Sequence, residues 1–144
     1  MSRVRRFMAN PSECIHQAAA IPMRGGRVYL VTSSSGGRWV VPKGHLEPGK
    51  TAGQIALQEA WEEAGLTGVL LPEPVGSYLY TKYGNTYHVI VFGMEVTQVA
   101  DDWPERTMRH RVWVDPGEAL ERIQDKGLRE LIRAATGERA YSEA

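Results

Sequence analysis

Three glutamates, Glu59, Glu62 and Glu63, carry the chemistry this sequence offers most plainly. They lie on a stretch that Thr51 can cap as a helix reaching about Ala64, with Gly65 as its stop. At about 100° per residue, positions i, i+3 and i+4 bring three carboxylates within reach of one point. Acids spaced this way most often form a solvated face. Here, however, they repel one another by a few tenths of a kcal/mol per pair. Glu62 and Glu63 also occupy the last turn, where the helix dipole disfavours negative charge by about 0.3–1 kcal/mol. A hard divalent cation would turn both penalties into binding, because oxygen ligands are what magnesium takes. A metal held by few carboxylates keeps positions open for water and substrate phosphates, and a spare glutamate can accept a proton.

The elements that must hold these acids follow from the flanking sequence. Leu57, Ala60, Trp61 and Ala64 share the other side of the helical wheel, a face expected to bury against a sheet. Before the helix, Ile15 to Met23 and Arg27 to Thr32 read as strands joined by a hairpin at Arg24-Gly25-Gly26. Arg38 to Val41 is a short strand stopped by Pro42, and Gly44 to Lys50 is a loop. After it, Pro72 and Pro74 predict a loop, followed by strands near Val75–Lys82 and Thr86–Val96 across the turn Tyr83-Gly84-Asn85. Arg111 to Val114 is a further strand. Asp115-Pro116 starts a helix to about Ile123, and another runs from Gly127 to Ala135. Strands, one central helix, more strands and terminal helices describe an α+β chain with helices packed on a mixed sheet. Residues 1–12 and 137–144 are expected to be flexible ends of a single domain spanning 1–144.

Composition narrows the partners. Seventeen basic residues balance seventeen acidic ones, so no global positive field draws nucleic acid or an anionic membrane. No apolar run approaches a membrane span, and the basic start (Arg3, Arg5, Arg6) lacks the continuous apolar region of an export signal. The lone Cys14 rules out an internal disulfide and fits a reducing compartment. A cytoplasmic enzyme acting on a small molecule is the expectation.

The segment from Gly44 to Leu66 resembles the Nudix box, Gx5Ex7REUxEExGU with U aliphatic. Gly44, Glu59, Ala60, Glu62, Glu63, Gly65 and Leu66 fall in register. Trp39-Val40-Val41-Pro42-Lys43-Gly44 is similar to the strand and loop that lead into it. The resemblance implies a Nudix-type α/β/α sandwich with a mixed sheet and a loop–helix–loop. It implies hydrolysis of diphosphate bonds with Mg2+ or Mn2+, and it leaves room for a homodimer. Glu59, Glu62 and Glu63 would then be metal ligands and include the base, and the Lys43 carbonyl would be a further ligand. His45, in the box loop, is a candidate substrate contact.

Two box positions depart from the pattern. Lys50 stands where a glutamate is expected and Gln58 where an arginine is expected. Both charges have changed together, so neither residue is left facing an unpaired partner. The expectation is an altered brace between loop and helix, with Lys50 also close enough to meet a substrate phosphate. Outside the box, Val31 to Ser35 with Arg38-Trp39, then Asp102-Trp103 and Arg109-His110-Arg111-Val112-Trp113, look like the diphosphoinositol polyphosphate and diadenosine polyphosphate phosphohydrolases. By that resemblance Arg38, Arg109 and Arg111 would contact phosphate, although Arg109 and Arg111 read equally well as a solvent-facing basic pair; Lys43 beside the box is a further candidate substrate contact. The first strand carries Ile15, His16 and Gln17 where that branch has several cations, which favours a dinucleoside polyphosphate or related nucleoside diphosphate derivative. An inositol diphosphate, or a Nudix-like module that binds nucleotide without turnover, is the alternative.

Overall fold

The computed structural model describes residues 13–137; the expected flexible ends, 1–12 and 137–144, lie outside the described residues except for Gly137, which caps the last helix. Seven strands and three helices follow the chain as β1 (Ile15–Arg24), β2 (Arg27–Thr32), β3 (Trp39–Val40), β4 (Lys43–His45), α1 (Ala52–Ala64), β5 (Leu66–Lys82), β6 (Asn85–Val99), β7 (Arg111–Val114), α2 (Pro116–Arg122) and α3 (Lys126–Thr136).

β1 is the centre of the sheet. It runs parallel to β6 from Ile15 against Tyr87 to Met23 against Glu95, and antiparallel to β2 and β4. The order β3-β2-β1-β6-β5 makes a mixed sheet, with β4 paired to β1 and β7 to β2. Buried on both faces, β1 reads as a continuous apolar run with no alternation. Ala18 and Ala20 face α1 with Tyr29, Val31, Ile55, Ala60 and Leu66. Ala19 and Ile21 face α2 and α3 with Leu30, Val91, Leu120 and Ile132. Two cores on opposite faces of one sheet make the mixed sheet with packed helices that the order of elements predicted, in the α/β/α form that the family resemblance implied. Small residues on both α1 (Ala56, Ala60, Ala64) and β1 give the helix a close seat, which brings its last turn over the sheet.

Both predicted hairpins are two-residue turns. Arg24 pairs with Arg27 across Gly25 (φ 59°) and Gly26 (φ 77°), and Lys82 pairs with Asn85 across Tyr83 (φ 50°) and Gly84 (φ 80°). Positive φ at both central residues matches the right-handed twist of the strands.

Three sequence expectations are corrected. Pro72 and Pro74 lie inside β5, not in a loop. β5 is the sheet's edge, and its pairing with β6 is irregular between Leu70 and Gly76, where a missing N–H breaks nothing. Lys43 to His45 form a short strand on β1, so the loop before α1 begins later than Gly44. The buried face of α1 is turned about a quarter of the wheel from the expected one. It consists of Ile55, Ala56, Ala60, Glu63 and Ala64, while Trp61 is 41% exposed. Among the described residues no helix is long and apolar enough to cross a membrane.

Candidate active site

The acidic helix is tied at both ends. At its start Thr51 Oγ1 accepts from the Gln54 N–H (3.1 Å), and the Gln54 side chain accepts from the Thr51 N–H (2.8 Å), a reciprocal cap. At its end Gly65 turns left-handed (φ 68°), and its N–H reaches the Ala60 and Trp61 carbonyls. The next carbonyls are taken by the segment between β6 and β7. Glu62 O accepts from the Glu105 N–H (3.0 Å), Glu63 O from Trp103 Nε1 (3.0 Å), Ala64 O from Arg111 Nη1 (2.7 Å) and Gly65 O from the Ala100 N–H (2.9 Å). The Arg111 guanidinium lies 4.2 Å from the Trp103 ring centroid, a stacked cation that closes this end. The free carbonyls of the last turn, the negative pole of the dipole, are thereby compensated beside the glutamates.

Glu63 sits in the middle of the buried face at 6% exposure. Burial pushes its carboxyl up to about 8, against the pull of Arg109, and its hydrogen bond with Glu59 adds to the rise. Burial raises Glu59 as well, although that same hydrogen bond offsets part of the effect. The two carboxyls therefore share a proton, with Glu63 donating. The Lys43 N–H donates to Glu63 Oε1 (3.3 Å), and Arg109 Nη2 lies 3.5 Å from Glu63 Oε2. Glu59 passes so close to Gly44 that a Cβ there would lie 2.5 Å from its Cδ. The first glycine of the box is thus the space in which Glu59 turns toward Glu63.

Two hard carboxylates close enough to share a proton are an arrangement a divalent cation fits once that proton leaves, since magnesium commonly uses one or two carboxylates and fills the rest with water and phosphate. Among the described residues no group of three or more His, Cys, Asp or Glu side chains stands in metal-binding arrangement. Glu62 raises Glu59 by its charge but is not drawn into the pair.

Glu63 of this pair lines a pocket of about 220 Å³ together with Arg38, Lys43, His45, Lys82 and Arg109. One carboxylate therefore faces four fixed cations. Burial lowers Lys43, partly countered by Glu63 and reinforced by Arg38, Lys82 and Arg109. Tyr80 and Tyr87 form one wall, their rings stacked at 4.7 Å and 6°, with His45 stacked on Tyr87 at 6.4 Å. The Tyr80 hydroxyl donates to Gln17 Oε1 (2.8 Å), and burial raises it to about 12.

Arg38, Lys43, His45 and Arg109 thus reach the pocket, while two other proposed phosphate contacts stand elsewhere. Arg111 is turned to the backbone carbonyls of Ala64 and Ala100. Lys50 donates to Gln58 Oε1 at 2.7 Å and pairs with Glu47 at 3.7 Å, so loop and helix are braced by an ammonium–amide contact. Sequence reasoning passed over Lys82, Gln17, Ser33, Ser34 and Glu105. Lys82 had a signal, because it follows Tyr78 and Tyr80 at strand period on one face. Glu105 had one too, four residues before Arg109, to which it bonds at 2.8 Å.

Gly44→Ala tests the Glu59 seat. The obstructed atoms belong to the end of a flexible side chain, so Glu59 swings away while the fold survives. The metal-free unfolding free energy should stay within about 1 kcal/mol of native, whereas activity should fall about 10²-fold, the scale of a group misplaced by about 1 Å. A large loss of Tm with specific activity intact would contradict this seat.

Comparison with known proteins gives a consistent picture. The chain matches the NUDIX domain model over residues 15–135. It is 33% identical over 124 residues to Nudix hydrolase 12, mitochondrial, of Arabidopsis thaliana, covering 78% of this chain and 61% of that one. It is 32% identical over 114 residues to diphosphoinositol polyphosphate phosphohydrolase 3-beta of Bos taurus, covering 75% and 68%. A C. elegans Ap4A hydrolase crystal structure superposes with a TM-score of 0.71 at 21% identity, covering 86% of this chain and 97% of that one, a likeness of fold. The chain spans 61%, 53% and 55% of the length of three Arabidopsis relatives it matches.

Proposed function

The chain belongs to the NUDIX family, and from that premise we propose that it is a divalent-metal-dependent hydrolase of phosphoanhydride bonds, acting on a dinucleoside polyphosphate or a related nucleoside diphosphate derivative. The observation that carries this reading is the hydrogen-bonded pair Glu59–Glu63 at the edge of a pocket whose lining gathers four cations and two stacked tyrosines. A pocket with four cations suits an anionic chain, and carboxylates placed at its edge suit the electrophilic end of that chain.

Glu59 and Glu63, with Glu62 beside them and the Lys43 carbonyl as a further donor, would hold Mg2+ or Mn2+. Such an ion supplies a lowered water pKa and neutralises phosphate oxygens. The chain's own residues do the rest. Arg38 and Lys43 bind the phosphates by charge-assisted hydrogen bonds. His45 and the stacked tyrosines present a flat wall to a planar group on the substrate. Arg109 keeps Glu63 in place, and whichever of the paired carboxyls is ionised can accept a proton from the attacking water.

The names of the relatives point to two substrate chemistries, a diphosphoinositol polyphosphate and Ap4A. The mixed cationic and aromatic lining favours the second. A cytoplasmic location belongs to this proposal also; the Arabidopsis relative carries the designation mitochondrial.

The decisive experiment is a screen of dinucleoside polyphosphates, nucleotide sugars, nucleoside triphosphates and diphosphoinositol phosphates, with and without Mg2+ or Mn2+. Metal-dependent product from a dinucleoside polyphosphate, lost on chelation, is the expected result. Nucleotide binding without product under every metal would instead identify a binding module. The Lys50–Gln58 contact weighs against that outcome, since the altered box loop is still held to its helix.

A further inference from the structure

Three cations on the pocket, Arg38, Lys43 and Lys82, form no ion pair among the described residues, although Glu63 partly offsets the charge at Lys43. Among the described residues the ion pairs engage Lys50, Arg106, Arg109, Arg122 and Arg133, and none of these three. Lys43 Nζ lies 5.4 Å from the Tyr80 centroid and Lys82 Nζ 5.5 Å from that of Tyr83. Those rings orient the ammonium groups without neutralising them. The three cations come from the start of β3, from β4 and from the end of β5, so only the fold gathers them. The charges of both Arg38 and Lys82 are felt at Lys43. Like charges brought together with a single carboxyl among them disfavour the empty pocket and concentrate anions in it.

Their order outward from the acids is informative. Lys43 is tied to Glu63 through its N–H and sits opposite Ala19, which pairs with Val91, whereas Lys82 pairs with Asn85 at the far hairpin end of the same strand pair. A chain whose reacting phosphorus lies at the glutamates would therefore meet Lys43 first and Lys82 further out in the same pocket. Lys82 itself is exposed and closes the strand on the same face as Tyr80.

We propose that Lys82, with Arg38 and Lys43, forms a subsite for phosphates beyond the reacting diphosphate, so that Lys82 selects chains of three or more phosphates. This rests on the hydrolase reading above and adds to it a rule for chain length. The test is a ladder of diadenosine di-, tri- and tetraphosphate assayed with the native chain, Lys82→Met and Lys82→Arg. Binding of inorganic pyrophosphate and tripolyphosphate to the metal-free proteins is measured alongside by calorimetry. In the native chain kcat/KM should rise along the ladder. Lys82→Met should lose about tenfold on the tetraphosphate through KM, the scale of one charge-assisted contact, and little on the diphosphate. Lys82→Arg should keep most of the preference. Tripolyphosphate affinity should fall about tenfold in Lys82→Met while pyrophosphate affinity holds. An equal loss on every rung, or no loss, overturns the subsite. If no rung is hydrolysed the hydrolase reading fails, and the calorimetry alone then decides on Lys82: unchanged tripolyphosphate affinity overturns it.

Discussion

Glu63→Gln is expected to lower kcat on the best substrate by about 10²–10⁴-fold, the usual weight of the proton transfer that the Glu59–Glu63 pair is proposed to serve, and to flatten the pH dependence of stability in the metal-free protein. The sign of the second effect follows from where the carboxyl sits. Its ordinary value is 4.5, and burial in the fold raises it to about 8. Below 4.5 both the folded and unfolded chains hold the proton, and the associated stability is fully present. Between these values the unfolded chain has released its proton while the native chain has not, so stability falls as pH rises and is lost through about 8. Over that window the loss is on the order of a few kcal/mol. Glutamine has the same shape and no proton to lose. The variant should therefore match the native chain near pH 5 and exceed it in Tm near pH 9. Glu59, also raised, keeps the variant's curve from becoming entirely flat. Mg2+ should act in the opposite direction in the native chain, stabilising it more as pH rises, because a ligand carboxyl must be ionised. Parallel Tm curves for the two proteins, or undiminished kcat, would remove Glu63 from the site.

Much of this arrangement is written locally in the chain. Thr51, Gln54 and Gly65 fix both ends of α1 by short-range hydrogen bonds. Gly25-Gly26 and Tyr83-Gly84 specify two hairpins by backbone conformation alone. The coupled change at Lys50 and Gln58 also reads correctly as a brace, since the partners are eight residues apart on adjoining elements. What sequence could not supply was the rotation of α1. A wheel ranks Trp61 above Ala56 as a buried residue, but in the assembled fold the face with Ala56, Ala60 and Ala64, alongside Ile55, packs against Ala18 and Ala20, and it carries Glu63 inward with it. Pro72 and Pro74 mislead for a similar reason, because edge placement and pairing irregularities that tolerate proline are properties of the assembled sheet. The roles of Arg109 and Arg111 depend on a connection from β6 to β7 that returns to the end of α1. Two arginines at next-but-one positions give no hint that one meets a carboxylate and the other backbone carbonyls.

That distinction makes Arg109→Met the second informative change. Arg109 is 10% exposed and joins three parts of the fold. Its Nε donates to Glu105 (2.8 Å), its Nη1 to the Thr32 carbonyl (2.9 Å), and its Nη2 stands 3.5 Å from Glu63. Methionine fills part of the volume but leaves a carboxylate and a carbonyl without their donor. Breaking a buried pair from one side costs about 3–5 kcal/mol, which for a chain of this size lowers Tm by about 10 °C. The pH dependence identifies the cause. In the metal-free protein Glu63 holds its proton below about 8, so at lower pH the loss comes from Glu105 and Thr32. Above that value Glu63 must ionise without its cation, and the Tm gap between native and variant should widen. Adding Glu63→Gln to Arg109→Met should remove the widening, and the coupling between the two changes should be about 0.5–3 kcal/mol. Arg109→Lys supplies one ammonium in place of a three-armed fork and should fall between. A phosphate-binding arginine would behave differently: Tm would hold, KM would rise, and the Tm gap would not follow pH. Observing that pattern would return Arg109 to the substrate and leave Glu63 to be held by the Lys43 N–H and Glu59 alone.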